Sequence, residues 1–192
     1  MRVLPPVDEP EPYESLPDVA AGFQGRGARE GAEFDELALA YLESAGATIT
    51  QRGGKLAGIS IDALVRGANA KVFCVLAHGN IDDGRRPGLR RTDTVRKAGD
   101  TAFLLAEDPY TPPLLVVTSH LPVSEGRSHQ AALLLSRHRR VIFDVVAITD
   151  DLAGFQRLRR YLTARPAPER PEPAPWWHVP EEQLQLGRDP DA

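Results

Sequence analysis

The run Gly58-Ile59-Ser60-Ile61-Asp62-Ala63-Leu64-Val65-Arg66 is followed, after a short Gly67-Ala68-Asn69 turn, by Lys71-Val72-Phe73-Cys74-Val75-Leu76-Ala77-His78-Gly79. Both runs are rich in β-branched and apolar residues, and a short polar turn separates them. That combination predicts two adjacent antiparallel strands. A lone acid, Asp62, interrupts the first. Side chains alternate along a strand, so Val72, Cys74, Leu76 and His78 share one face of the second.

The elements on either side follow from periodicity and punctuation. Phe34, Leu37, Ala38, Tyr41 and Leu42 recur at helical spacing between Arg29 and Ser44, and Gly46 is a stop signal. Thr48 to Arg52 reads as a short strand, with Gly53-Gly54 as a hairpin signal before the next. Beyond Gly79, Arg85 to Arg91 forms a basic loop. Thr92-Asp93 opens a helix to about Ala106, weakened at Gly99. Leu114 to Thr118 is a continuous apolar run of the kind buried inside a sheet. Ser128 to Arg137 reads as a helix, Val141 to Ile148 as a buried strand, and Asp150-Asp151 as the cap of a last helix to about Thr163. The order is αβββαβαβα, which predicts an α/β fold with a mixed central β-sheet flanked by helices.

From about residue 29 to 119 this order resembles the αβββαβ core of the PD-(D/E)XK superfamily, the restriction-endonuclease-like nucleases. The acid-bearing strand, the strand after it and the basic helix stand where that core has them. Gly31-Ala32-Glu33-Phe34-Asp35-Glu36 is similar to the family's first-helix acidic context, with Asp35 the closest match and Glu36 its neighbour. The resemblance implies a nuclease-like protein that binds or processes DNA, with Mg2+ as cofactor if the site is intact. Where the family carries an acid and a lysine two residues apart, this chain has Leu76 and His78.

Phosphodiester hydrolysis needs carboxylates to hold a hard cation and a positive group to offset charge on the phosphate. Asp62 matches the first metal ligand. Leu76 offers a metal nothing, and His78 is a poor Mg2+ ligand. Other residues can repair such a site. Asp93 and Lys97, four apart, share a face of the following helix, and Asp82 and Asp83 lie nearer in sequence. The expected catalytic residues are therefore Asp62, His78 and Lys97, and the expected metal ligands Asp62, Asp93 and Asp35. The arginines Arg85, Arg86, Arg90, Arg91 and Arg96 are the expected DNA contacts, through phosphate. The alternatives are a degenerate member that binds without cutting and a catalytically inert α/β adaptor acting through protein contacts.

Each residue also has a purely structural role open to it. Asp62 can cap a neighbouring backbone or pair with Arg66, and His78 can bond a carbonyl at a strand end. Asp93 can serve the helix dipole. Cys74 reads as a buried, inert thiol. Ser119 and His120, adjacent in a strand, point to opposite faces and make no couple.

Composition bounds these readings. The 192 residues carry a net charge of −4. Residues 1–24 hold five acids and one Arg, and residues 166–192 hold six acids and two Arg, so each tail is −4 and the segment 25–165 is +4. Both tails are Pro-rich with little to pack, and are expected to be disordered around a domain at 25–165. The C-terminal tail, with Trp176 and Trp177, is a candidate contact for a protein partner. The single cysteine excludes an internal disulfide or a Cys-based metal cluster. No apolar run approaches the roughly 20 residues needed to span a bilayer. With no apolar stretch behind Met1, a cytoplasmic protein is expected.

Overall fold

The computed structural model describes residues 31–79, 88–123, 126–136, 142–149 and 151–172. Arg85, Arg86, Asp82, Asp83, the 1–24 tail and the Trp176-Trp177 pair lie outside the described residues.

Helix α1 (Gly31–Ser44) buries Phe34, Ala38, Tyr41 and Leu42, the apolar stripe that its spacing predicts. It stops at Gly46, whose φ of +100° suits a residue without a Cβ. Strand β1 (Ala47–Arg52) follows. The next run departs from expectation. Lys55–Leu56 (β2) and Ile59–Ser60 (β3) pair only with each other, as a small ribbon. The strand proper, β4, is Ala63–Gly67, so Asp62 stands just before it rather than inside it. The reason lies in the turns: Gly53, Gly54, Ala57 and Gly58 all take positive φ, which folds the chain back twice within a few residues. The α/β class with a mixed sheet flanked by helices is as expected.

β5 (Val72–His78) pairs antiparallel with β4, Ala63 opposite Val75 and Val65 opposite Phe73. A 3-10 turn at Gly88–Arg90 leads into α2 (Thr92–Ala106). β6 (Leu114–Thr118), α3 (Arg127–Ser136), β7 (Asp144–Ala147) and α4 (Leu152–Thr163) complete the described elements. The main sheet runs β1-β4-β5-β6-β7. Its first half is antiparallel, and β5, β6 and β7 are mutually parallel.

Each face of the sheet carries its own core. Phe73, Val75, Leu115, Val117 and Val146 pack with Phe34, Tyr41 and Leu42 of α1 and Phe155, Leu158 and Leu162 of α4. Cys74, Leu76, Leu114, Val116 and Val145 pack with Val95, Ala98, Ala102 and Leu105 of α2 and Ala132 of α3. Strand alternation accounts for the division. β6 is buried at all five positions because both faces are covered.

Edge strand β7 has its outward backbone groups closed by side chains. Asp144 Oδ1 accepts from Val145 N at 2.7 Å, Asp151 Oδ2 from Ala147 N at 3.3 Å, and Tyr41 Oη donates to Ala147 O at 3.2 Å. Past α4 the chain stays against the β4–β5 turn. Arg165 Nη2 donates to Ala68 O at 3.0 Å, Lys71 Nζ to Pro168 O, and Glu172 pairs with Arg160. These bonds hold the chain against the fold as far as Glu172.

Candidate functional site at the strand ends

Three parallel strands end on one side of the sheet, and β4, running the other way, begins there. This places Asp62, His78, Thr118 and Ser119 along one line. The carboxyl ends of parallel strands are where open α/β sheets form ligand crevices. Helix α1 approaches the same edge, and Gly79 lies so close to Phe34 that a Cβ there would collide with the ring. Asp35 follows Phe34. The turn before α2 closes the crevice from the other side: Leu89 N donates to Thr118 Oγ1 at 3.2 Å and to His120 O at 3.1 Å. Gly88 takes φ +57°, and a Cβ on it would lie 2.7 Å from Ser119 Oγ, so only glycine fits that approach.

Asp62 has a definite structural duty. Its carboxylate Oδ2 accepts from Ala77 N at 2.7 Å, the backbone-capping role open to it from sequence. Its charge also reaches two neighbours. Asp35 is exposed, yet partial desolvation raises its carboxyl above the ordinary value, and the charges of Asp62 and then Glu36 add to the rise. Glu36 itself is bridged to Arg52 at 2.6 Å.

His78 is half-buried, and its Nε2 has no hydrogen-bond partner among the described residues. Burial holds its pKa below the ordinary value. The Asp62 charge pulls it up, the Lys97 charge pushes it down, and a hydrogen bond to the Ala77 backbone favours the protonated ring.

Of the expected residues, the fold thus gathers Asp62, His78, Lys97 and Asp35. Asp93 is elsewhere. It lies exposed in the first turn of α2, paired with Arg91 at 2.7 Å, and its carboxyl sits below its usual value chiefly through that bond, with its own backbone N–H and that of Thr94 helping. The expected ligand trio of Asp62, Asp93 and Asp35 is therefore not assembled. Among the described residues no group of three or more His, Cys, Asp or Glu side chains is placed to hold a metal. Leu76 is buried against the α2 side chains. Of the expected phosphate-binding arginines, Arg90 and Arg96 are exposed, while Arg91 is committed to Asp93.

Cys74 is buried, its thiol donating to Pro112 O at 3.1 Å, and burial pushes its pKa up to about 12. It is inert, as its surroundings in sequence suggest.

The sequence reading weighs Ser119 only as a partner of His120 and gives Gly88 no role in the site. Ser119 is fully buried, and its Oγ has no partner among the described residues, whereas Thr118 Oγ1 donates to His78 O at 2.7 Å. A signal for them exists: two hydroxyl residues directly after a continuous apolar strand mark the end of a buried parallel strand.

No helix among the described residues is long and apolar enough to cross a membrane. No protein-family model matches the chain, and neither a curated protein nor a solved structure matches it.

Proposed function

We propose that the protein binds DNA across the strand-end crevice and holds the sugar–phosphate backbone without cutting it. One arrangement carries this reading. The segment bearing Arg90, Arg96 and Lys97 is anchored through Leu89 to the end of β6, so exposed cations flank the crevice that holds His78. Cations in that position meet phosphate. The absence of cutting rests on Leu76. It is 5 % exposed and embedded among Val95 and Ala98, two residues before His78, and supplies no second carboxylate beside Asp62.

A second reading has one observation in its favour. Burial and then the Asp62 charge raise the Asp35 carboxyl, and a divalent cation between two carboxylates would relieve the repulsion, since Mg2+ is commonly held by one or two carboxylates plus water. Metal-dependent cleavage would then use Asp62 and Asp35 with Lys97 as the cation.

Purified protein titrated against a labelled duplex, in low and moderate salt, tests the first reading. Affinity falling steeply with salt is expected, because cation–phosphate pairing releases counterions. Absence of binding in low-salt buffer ends it. Incubation with Mg2+ or Mn2+ should leave the duplex intact. Cleavage that Asp62→Asn abolishes would replace the first reading with the second.

A further inference from the structure

Helix α2 starts at the crevice, where Leu89 is tied to Thr118 and His120, and runs back to the opposite end of the sheet, where β6 begins. Three of the four exposed large apolar side chains among the described residues lie there. Phe103, Leu104 and Tyr110 are 41, 54 and 92 % exposed. Arg96 and Phe103 are seven residues apart, as are Lys97 and Leu104, so each pair shares a side of α2, about 10 Å apart along its axis. Both cations are exposed, and Asp100, also exposed, stands between them and the apolar pair. The segment after α4 occupies this same end of the sheet. It bonds to Ala68 and Lys71 in the β4–β5 turn, and Glu172 N donates to Tyr161 Oη at 2.9 Å. Trp176 and Trp177, the two tryptophans of the chain, follow four and five residues later, with Glu181 and Glu182 five residues beyond them.

We propose that the C-terminal tail folds back along α2, with Trp176 and Trp177 on the Phe103, Leu104 and Tyr110 patch and Glu181 and Glu182 over Arg96 and Lys97, and so competes with DNA for those two cations. The spacing fits. Five residues of extended, Pro-containing chain span about 15 Å, enough to cover the two turns between Leu104 and Lys97. Charge sets the direction. The tail beyond Glu172 holds four acids and one Arg, against +4 on the segment 25–165. The exposed Asp100 and Glu107 repel acids from the C-terminal half of α2, while Arg96 and Lys97 draw them to the N-terminal half. A segment tethered this closely meets the patch at an effective concentration on the order of millimolar, which sets the chain's own tail ahead of a partner in solution. The docking stands apart from the DNA-binding reading above, and the competition rests on it.

Both tryptophans are in the tail, so the intrinsic fluorescence of the full-length protein reports the tail alone. Emission to the blue of the guanidinium-unfolded protein, weakly quenched by acrylamide, is expected of indoles laid on an apolar patch. Leu104→Ser with Tyr110→Ser, two exposed positions, should shift it to the unfolded wavelength. The same variant should bind a labelled duplex about two- to fivefold more tightly than the parent, the scale of two exposed ion pairs released. Glu181→Gln with Glu182→Gln should do likewise, and the four changes together should gain no more than either pair. Parental emission already at the unfolded wavelength would overturn the docking, as would blue emission that survives Leu104→Ser with Tyr110→Ser. A blue shift that deepens with protein concentration would assign the patch to a second copy and overturn it too. Unchanged or additive affinities would overturn the competition. A parent that binds no duplex sinks the DNA-binding reading and the competition with it, and the emission then decides the docking alone.

Discussion

Asp144 and Arg157 form an ion pair at 3.0 Å with both side chains shut away from water. Tyr161 Oη donates to the same carboxylate oxygen at 2.9 Å. Burial pushes the Asp144 carboxyl above its ordinary value, and Arg157 and the Tyr161 hydroxyl pull it back. Arg157 Nη2 finds no partner among the described residues, so the guanidinium depends on Asp144 for its compensation.

Removing one partner strands the other. Arg157→Ala should cost about 3–5 kcal/mol in denaturant unfolding, because it leaves an uncompensated charge in the core. The double change Asp144→Leu with Arg157→Met should recover part of that loss, since the apolar pair needs no charge compensation, while Val145 N and Tyr161 Oη each lose an acceptor. A single variant as stable as the parent would contradict this account.

His78 should make stability depend on pH. Its folded pKa is held below 6.5, with burial as the main cause, so the unfolded chain takes up the proton more readily than the folded one. Its contribution is complete above 6.5 and is lost as pH falls through the lower, folded value. In metal-free buffer, NMR titration should find His78 below 6.5. Lys97→Met should raise the value and Asp62→Asn should lower it, because those charges act on the ring in opposite senses. A ring titrating at or above 6.5 would refute the burial argument.

Leu76 is predicted to be a core residue first. Leu76→Glu should lower stability by about 3 kcal/mol or more in metal-free buffer, because an acid would replace a side chain packed against Val95 and Ala98. Thermal and denaturant melts measure it. A change within about 0.5 kcal/mol, the range of ordinary surface substitutions, would mean that the position opens to solvent.

Exposed cations should act by charge count. Arg90→Ala with Arg96→Ala should weaken duplex binding and reduce the salt slope by about two, near one unit for each phosphate no longer neutralised. Melting temperature should stay at the parental value, since both side chains are exposed. An unchanged slope would remove these two arginines from the interface.

The segment after α4 should contribute to stability. A chain ending after Ala164 lacks the hydrogen bonds that Arg165, Pro168 and Glu172 make with Ala68, Lys71, Tyr161 and Arg160. It should unfold about 2–4 kcal/mol more easily, at roughly 0.5–1 kcal/mol for each of the four partners lost. A chain ending after Glu172 keeps all of them and should melt above it. Equal melting of the two would place the end of the folded unit earlier.

Periodicity and punctuation alone determined a good deal. The α1 stripe of Phe34, Ala38 and Tyr41, the antiparallel pairing of the Val65 and Phe73 strands, the apolar β6 run and the Asp151 cap were legible because each depends on neighbours in sequence. The splitting of residues 55–67 was not, since it turns on positive φ at Ala57 as well as at glycines, and alanine carries no such signal. Asp62, Asp35, His78 and Lys97 come from four separate elements, and only the reversal of β4 against β5 brings the first and third to one edge. Asp93 looked equally available in sequence. Arg91, two residues away and exposed beside it, took it instead. Whether an acid serves a metal, a helix end or a backbone N–H depends on which partner lies within about 3 Å, and that distance is a property of the tertiary structure.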